Sequence, residues 1–209
     1  MPRPLSLSLI NRFFKILAGR LDQETYVLLT GAAAANILGQ VRPSMDIDFA
    51  VRIKRGNRQA WMKMEEAIQK AVQMTGIHAN YAQDIDRWGL ISLMDYLKHT
   101  LPYQRFGTIK VEVLAPAYLS IGKMTRYLAP DIQDMIHVFR KQRTSHLLLS
   151  RTWGLALRKS PKSTALFHFQ KQVEDFIRRY GRKIWGKQFD RNQAILRFHE
   201  AAGIKRHTL

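Results

Sequence analysis

The sequence predicts an α+β protein with a mixed sheet of four or five strands, flanking helices and a basic helical region at the C-terminal end. Three observations support this class. Short apolar or alternating runs are interleaved with amphipathic helical segments over the first 140 residues. The remaining residues show only helical periodicity. An apolar share of 46% with four Trp and ten Phe is typical of a folded chain.

The first half of the chain alternates helices and strands. Tyr26 to Thr30 is an apolar run suited to a buried strand, and Gly31 interrupts it. Ala32 to Leu38 is a good helix former, so we expect Gly31 at a helix N-terminus. A C-cap is expected at Gly76. The elements predicted here are a helix over 7–21, a strand over 26–30, a helix over 32–38, a strand around 45–49 and a helix over 57–75.

The second half contains weaker strand signals followed by helices. Pro116 and Pro130 mark the starts of two helices, since proline is tolerated in a first helical turn. The predicted elements are strands over 88–93 and 108–114 and helices over 116–128, 131–140, 145–158, 163–180 and 190–202. The predicted core of the last three helices is Leu147, Leu148, Trp153, Leu155, Phe167, Phe169, Val173, Phe176, Ile177 and Trp185. A boundary near Lys141 divides the chain into 1–140 and 141–209.

The most informative stretch contains a turn suited to phosphate binding, followed by two carboxylates. A helix N-terminus at Gly31 would present free N–H groups and a positive dipole end to an anion. Asp46 and Asp48 project from one face of their strand, about 7 Å apart. Burying two acids together is costly unless something positive lies between them. Such oxygen ligands suit Mg²⁺ or Mn²⁺, and the sequence favours this interpretation over the alternative of an exposed D-x-D at a strand end.

A strand, a small-residue turn, a helix and then D-x-D on the next strand resemble the minimal nucleotidyltransferase fold shared with DNA polymerase β. The resemblance covers about Tyr26 to Arg140 and is nearest to the AbiEii-type toxin nucleotidyltransferases. It implies that Asp46, Asp48 and Glu112 are catalytic and hold the metal. It also implies transfer of a nucleoside monophosphate from a nucleoside triphosphate (NTP) to RNA, such as a tRNA end, and a possible antitoxin partner.

The resemblance also implies a set of nucleotide-binding residues. Ala32 replaces the usual Gly or Ser and leaves the backbone N–H donors in place. Lys123 and Arg126 share a helix face and precede Asp131 and Asp134, as in the K…R…D-x-x-D segment of the AbiEii-type enzymes. The alternatives are a solvated helix face, and a helix-start role for Asp131. The predicted nucleotide-binding residues are Gly31, Ala32, Arg42, Ser44, Lys123 and Arg126; alternatively, Arg42 only neutralises the aspartates.

The net charge of +18 is concentrated in the last third of the chain. Met1 to Phe139 carries 17 Lys and Arg against 12 Asp and Glu, whereas Arg140 to Leu209 carries 17 against 4. Such a field attracts a polyanion, with RNA or DNA favoured over an acidic membrane surface, an acidic protein or a solubility role. The predicted nucleic-acid contacts are Arg178, Arg179, Arg182, Lys183 and Lys187. Trp185 among them either stacks on a base or is buried.

Other function classes receive less support. Without cysteine, neither a disulfide framework nor a thiolate zinc site is possible. We expect a cytoplasmic protein with no membrane-spanning segment. Asp84 and Asp86 form a second D-x-D, which we interpret as a loop pair. Two alternatives stay open beside the RNA nucleotidyltransferase: a catalytically silent RNA-binding protein on the same scaffold, and a transferase that modifies a small molecule or a protein hydroxyl.

Overall fold

The computed structural model describes residues 5–39, 46–85 and 90–204. These residues form two compact units. The first contains residues 5–39, 46–85 and 97–115, and the second contains residues 90–96 and 116–204. The boundary that we predicted near Lys141 lies inside the second unit, because the two helices before it pack with the helices after it.

The first unit contains the sheet. Its elements are α1 (Leu7–Ala18), β1 (Thr25–Thr30), α2 (Gly31–Gly39), β2 (Asp46–Ile53), α3 (Arg58–Thr75), β3 (His78–Ala82), β4 (Thr100–Phe106) and β5 (Ile109–Leu114). Local sequence sets the ends of α3: the Asn57 side chain accepts a hydrogen bond from the Ala60 N–H at 2.8 Å, and Gly76 follows in the left-handed conformation. The predicted C-cap at Gly76 is therefore confirmed.

The sheet has five strands in the order β3-β2-β1-β5-β4. β1 pairs antiparallel with β2 and parallel with β5, β2 pairs parallel with β3, and β4 pairs antiparallel with β5. The predicted α+β class and mixed sheet are confirmed. The edge strands β3 and β4 were not predicted. The predicted strand over 88–93 is wrong for residues 90–93, which are irregular, and its remainder lies outside the described residues.

One face of the sheet packs against aromatic side chains. Phe13 and Phe14 of α1 lie with ring centroids 6.0 Å from Phe49 of β2, and Phe14 stacks on Phe106 of β4 at 5.8 Å. Phe13, Phe14 and Phe49 are fully buried. Because side chains alternate along a strand, Asp46 and Asp48 project from the opposite face to Phe49. The hydrophobic core thus fixes which face carries the acids.

The second unit is helical. It contains α4 (Pro116–Arg126), α5 (Ala129–Lys141), α6 (His146–Lys159), α7 (Thr164–Trp185) and α8 (Arg191–Ala202); a 3₁₀ turn, Tyr96–Lys98, spans the division between the units. Trp153 forms the centre of its core, within 6.1 Å of Phe139 and 5.9 Å of Phe176, and donates its indole N–H to Ser120 at 2.9 Å. No helix in residues 5–39, 46–85 or 90–204 is long and apolar enough to span a bilayer.

The predicted core of the second unit is correct in its central residues and wrong at its periphery. Trp153, Phe169, Val173, Phe176 and Ile177 are buried. However, the side chains predicted at the starts of α6 and α7 are exposed: Leu147 is 38%, Leu148 51% and Phe167 57% exposed. Periodicity identifies the apolar side of a helix, but it does not report which apolar residues near a helix start another element covers: Leu149 is buried, whereas Leu147 and Leu148 are exposed.

Candidate functional site

The junction between β1 and α2 brings a glycine against an aspartate. Gly31 has φ +61°, a conformation that favours glycine. A Cβ placed at this position would overlap Oδ2 of Asp48 and lie 2.8 Å from its Cγ. This contact follows from the register, because Asp48 pairs with Thr30, the residue before Gly31. The turn therefore needs glycine both for its backbone and for its approach to the carboxylate.

Asp46 and Asp48 are joined by a third side chain on the neighbouring strand. The register places His78 beside Asp46 and Asn80 beside Asp48. Nδ2 of Asn80 donates to Oδ1 of Asp48 at 2.9 Å and lies 3.4 Å from Oδ2 of Asp46. Both aspartates are half-buried. The two carboxylates thus share one amide donor at the surface of the first unit.

Asn80 was missed by the sequence analysis. It lies in an edge strand of only five residues, His78–Ala82, in which exposed and half-buried positions alternate and no residue is fully buried. Such a segment has little of the apolar alternation by which strands are recognised. The available signal was its position after the Gly76 C-cap, where a short crossover from α3 must return to the sheet.

Glu112 shares the face of the aspartates, but the structure does not bring its carboxylate to them. It pairs with Leu28 of β1, so it lies two strand spacings, about 10 Å, from β2. Its oxygens accept from Thr100 at 2.5 Å and from Lys110 at 2.6 Å. Among the described residues no three His, Cys, Asp or Glu side chains gather at one point. The convergence of all three acids is therefore not seen, and the metal role of Glu112 stays a prediction.

The environment keeps Glu112 ionised. Partial burial raises the pKa of its carboxyl, while hydrogen bonds from Lys110 and Thr100 and the charge of Lys110 lower it, and the net pKa lies below the ordinary value. Lys110 balances this charge locally. In the described arrangement Glu112 is therefore an anion held toward β4 and not toward the aspartate pair.

The predicted phosphate contacts of the first unit are described only in part. Gly31 and Ala32 are the first two residues of α2, and N–H groups in a first turn have no intrahelical acceptor. A phosphate contact through them stays a prediction. Arg42 and Ser44 lie outside the described residues.

Lys123 and Arg126 of α4 contact the aspartates of α5. Nζ of Lys123 lies 2.7 Å from Asp134 and 3.4 Å from Asp131, and Arg126 donates two hydrogen bonds to Asp131 at 2.7 and 3.1 Å. The side chains of Lys123, Asp131 and Asp134 are only 2%, 3% and 1% exposed. We call these four residues the buried ion cluster.

The buried ion cluster gives Lys123 a structural role. An ammonium group buried between two carboxylates does not face a triphosphate in solvent, so its predicted phosphate contact is not supported by this arrangement and stays a prediction. Arg126 is 57% exposed and keeps one side toward solvent. Asp131 lies in the first turn of α5, as expected for a helix-start residue, and also pairs with both cations.

The five basic residues predicted to contact nucleic acid are all exposed. Arg178 and Arg179 pair with Glu174 and Asp175 one turn earlier in α7, whereas Arg182, Lys183 and Lys187 form no ion pair with any described residue. Trp185 is half-buried: its indole N–H donates to the Thr144 carbonyl at 2.8 Å and its ring lies 4.9 Å from Phe189. Trp185 therefore packs within the unit, as the second interpretation predicted.

Asp46, Asp48 and Asn80 bring side-chain oxygen atoms close together at the surface of the first unit. Two carboxylates and an amide oxygen, available if the Asn80 side chain rotates, are ligands that Mg²⁺ and Mn²⁺ prefer. Comparisons with protein-family models, curated proteins and solved structures find no match to this chain. Functional inference therefore depends on this geometry.

Proposed function

We propose that the protein is a metal-dependent nucleotidyltransferase on the minimal nucleotidyltransferase fold, and that it transfers a nucleoside monophosphate from an NTP to a hydroxyl of RNA in the cytoplasm. One observation carries this proposal: Gly31, at the N-terminus of α2, lies in contact with the carboxylate of Asp48, which shares a strand face with Asp46. The turn that we propose to bind phosphate and the acids that we propose to bind the cation are thereby adjacent.

Each group at this junction has a task in the proposed reaction. The N–H groups that begin α2 would bind the phosphate chain of the NTP through hydrogen bonds and the helix dipole. The bare Cα of Gly31 lets those phosphates approach the aspartates closely. Asn80 orients both carboxylates by donating to each. Positioning of this kind supplies most of the catalysis in phosphoryl transfer.

Asp46 and Asp48 would hold the divalent ion. The Asn80 amide oxygen would be a further metal ligand once that side chain rotates. When bound, such an ion lowers the pKa of the attacking hydroxyl and neutralises charge on the leaving pyrophosphate. Without an ion the two carboxylates would repel an incoming triphosphate, so the same residues favour substrate only in the presence of metal.

Label transfer tests the proposal. The purified protein is incubated with each α-³²P-labelled NTP, Mn²⁺ or Mg²⁺ and total RNA, and label in RNA is measured. We expect metal-dependent labelling by the wild-type protein and a loss of about 10³-fold or more in Asp46→Asn plus Asp48→Asn, because a bound metal contributes several kcal/mol of charge stabilisation.

The matched control is Asp22→Asn plus Glu24→Gln, which removes the same formal charge from exposed or half-exposed positions of the first unit. It should label RNA at the wild-type rate. Labelling that survives in the Asp46 and Asp48 variant, or no labelling by the wild-type protein with any NTP, would overturn the proposal.

A second candidate function is favoured by the position of Glu112. Because Thr100 and Lys110 hold its carboxylate, a catalytically silent scaffold that only binds RNA also agrees with the structure. Under this alternative RNA binds with strong salt dependence, whereas Mn²⁺ does not promote NTP binding in calorimetry. Metal-promoted NTP binding that disappears in the Asp46 and Asp48 variant would exclude it.

A further inference from the structure

A groove of about 410 Å³ lies between α7 and α8 in the second unit. It is lined by Arg178 of α7 and by one side of α8, namely Arg191, Asn192, Ile195, Leu196 and His199. The α8 residues recur at helical spacing, so they form a continuous stripe along the groove. Two arginines, a histidine and an asparagine provide its polar surface, and all of them can donate hydrogen bonds.

A buried carboxylate holds two of these donors in place. Glu174 of α7 is 9% exposed, and its oxygens lie 2.8 Å from Nε2 of His199 and 3.2 Å from Arg178. Burial raises the pKa of Glu174, but hydrogen bonds from Gln170 and His199 and the charges of His199 and Arg178 lower it below the ordinary value. Glu174 is thus an ionised anchor beneath the groove.

The groove keeps positive charge after this anchoring. Glu174 offsets the charge of Arg178, whereas Arg191 forms no ion pair with any described residue. The surroundings add to the field, since Arg182 and Lys183 also have no carboxylate partner among the described residues. A groove with fixed donors and surplus positive charge favours an anionic ligand.

An exposed aromatic ring extends the same side of α7. Phe167 is 57% exposed, and Nζ of Lys171 lies 5.4 Å from its ring centroid. Phe167, Lys171 and Arg178 are spaced four and seven residues apart, which places them along one side of the helix. Phe167 lies about 16 Å from Arg178 along the axis. An exposed ring on the same helix side as cations that bind phosphates offers a surface on which an unpaired base of a bound strand can stack.

We infer that the α7–α8 groove binds the backbone of single-stranded RNA, with phosphates on Arg178, Arg191, Asn192 and His199 and one base stacked on Phe167. Cations contact phosphates without reading bases, so this surface positions a strand and does not select a sequence. The inference rests on the proposed function in one respect: it assigns the surface that would hold the RNA acceptor.

Fluorescence anisotropy with a labelled 12-nucleotide single-stranded RNA of mixed sequence tests this assignment. Binding is measured in EDTA without NTP at several salt concentrations. We expect Arg178→Gln plus Arg191→Gln to weaken binding about tenfold or more and to reduce the slope of log K against log[salt] by about 1.4, for two lost phosphate contacts. Phe167→Ala should weaken binding about tenfold through lost stacking, with the salt slope unchanged.

The control variant is Arg197→Gln plus Arg158→Gln, which removes the same charge from exposed positions outside the groove on α8 and α6. Its affinity should stay within about threefold of wild type. If the control and groove variants weakened RNA binding equally, net charge alone would explain the loss of affinity, and the groove assignment would be overturned. Unchanged affinity in Phe167→Ala, together with equal binding of duplex RNA, would overturn the single-strand assignment.

The two proposals fail separately. RNA binding in EDTA that depends on the groove, combined with no label transfer, would remove the proposed function and leave the groove assignment intact. A groove variant that binds RNA normally and still transfers label to RNA would exclude the groove assignment and leave the proposed function intact.

Discussion

Two aspartate pairs in this protein each lie on one face of their element, at i and i+2 on β2 and at i and i+3 on α5, but they differ in burial. Asp46 and Asp48 on β2 are half-buried and receive hydrogen bonds from the neutral amide of Asn80. Asp131 and Asp134 on α5 are almost fully buried and contact the cations of Lys123 and Arg126. The comparison teaches that spacing places two acids on one face, whereas burial and partner charge decide their use.

The physical reason lies in desolvation. A carboxylate removed from water requires a compensating charge, and once a lysine or arginine provides it, little potential remains to attract a further cation. The pair on β2 is half-buried, so its carboxylates keep partial access to solvent and lose less hydration than the pair on α5. We therefore assign the α5 pair to stability, whereas ligand binding by the β2 pair stays part of the proposed function.

The largest change should come from removing the central cation of the buried ion cluster. Lys123→Met leaves Asp134 and Asp131 with less compensation, and breaking a buried ion pair from one side costs about 3 to 5 kcal/mol. Urea unfolding monitored by circular dichroism measures this loss. Lys54→Met is the matched control: Lys54 also lies 2.7 Å from its carboxylate partner, Glu24, but is 58% exposed, so we expect little change.

The comparison would be contradicted if Lys54→Met and Lys123→Met destabilised the protein equally. Lys123→Met combined with Asp134→Leu is a second test of the comparison, because it removes both charges of the closest pair. That double variant should recover part of the lost stability, because apolar replacements of a buried pair are often tolerated.

The second largest change concerns the β2 pair. Gly31→Ala requires a left-handed conformation of alanine, at about 1 to 2 kcal/mol, and also displaces the Asp48 carboxylate. We expect a loss of unfolding free energy of at least this size together with impaired label transfer. Gly122→Ala is the control, since a Cβ there meets no atom within 4 Å, and it should stabilise α4 by about 0.5 to 1 kcal/mol. Normal transfer by Gly31→Ala would contradict the close approach as a functional requirement.

Asn80 offers a smaller and more specific test. Asn80→Leu removes the shared donor and the potential amide ligand, so Mn²⁺ should bind about tenfold more weakly, as for other groups that orient metal ligands. Asn80→Asp adds a carboxylate and should tighten binding. Electron paramagnetic resonance of free Mn²⁺ measures both, with Asn192→Leu in the second unit as control. Mn²⁺ affinity that is the same in all three variants would remove Asn80 from the site.

Part of this molecule is predictable from sequence because it depends on local pattern. Gly31 after an apolar strand and Asp46 and Asp48 at alternate positions specify the β1-α2-β2 unit and the face of the acids. Two edge strands were missed: β3 has no fully buried residue, and β4 contains Pro102 and exposed residues. Burial of Lys123 depends on how α4 and α5 pack, and helical periodicity does not report that. The same limit applies to Glu112, whose partners Thr100 and Lys110 include a residue of an unpredicted strand.

The smallest effect is the acid dependence of the buried ion cluster. Burial raises the pKa of the Asp131 carboxyl, while the hydrogen bonds and charge of Arg126 and the charge and hydrogen bond of Lys123 lower it, and the net pKa lies below the ordinary value. At pH values between the folded and unfolded pKa values, the unfolded chain binds more protons at this site. Stability therefore rises with pH in that interval.

The contribution of Asp131 is fully present above its unfolded pKa of about 3.9 and is lost as pH falls through the lower folded value. Unfolding free energies measured between pH 3 and pH 6 should thus fall more steeply toward acid in wild type than in Asp131→Asn, although the variant is less stable at pH 6. Subtracting the two curves cancels the other carboxyl groups. A difference between the two curves that is constant with pH would mean that Arg126 and Lys123 do not stabilise the charged form of Asp131, which would contradict the stabilising role of the buried ion cluster.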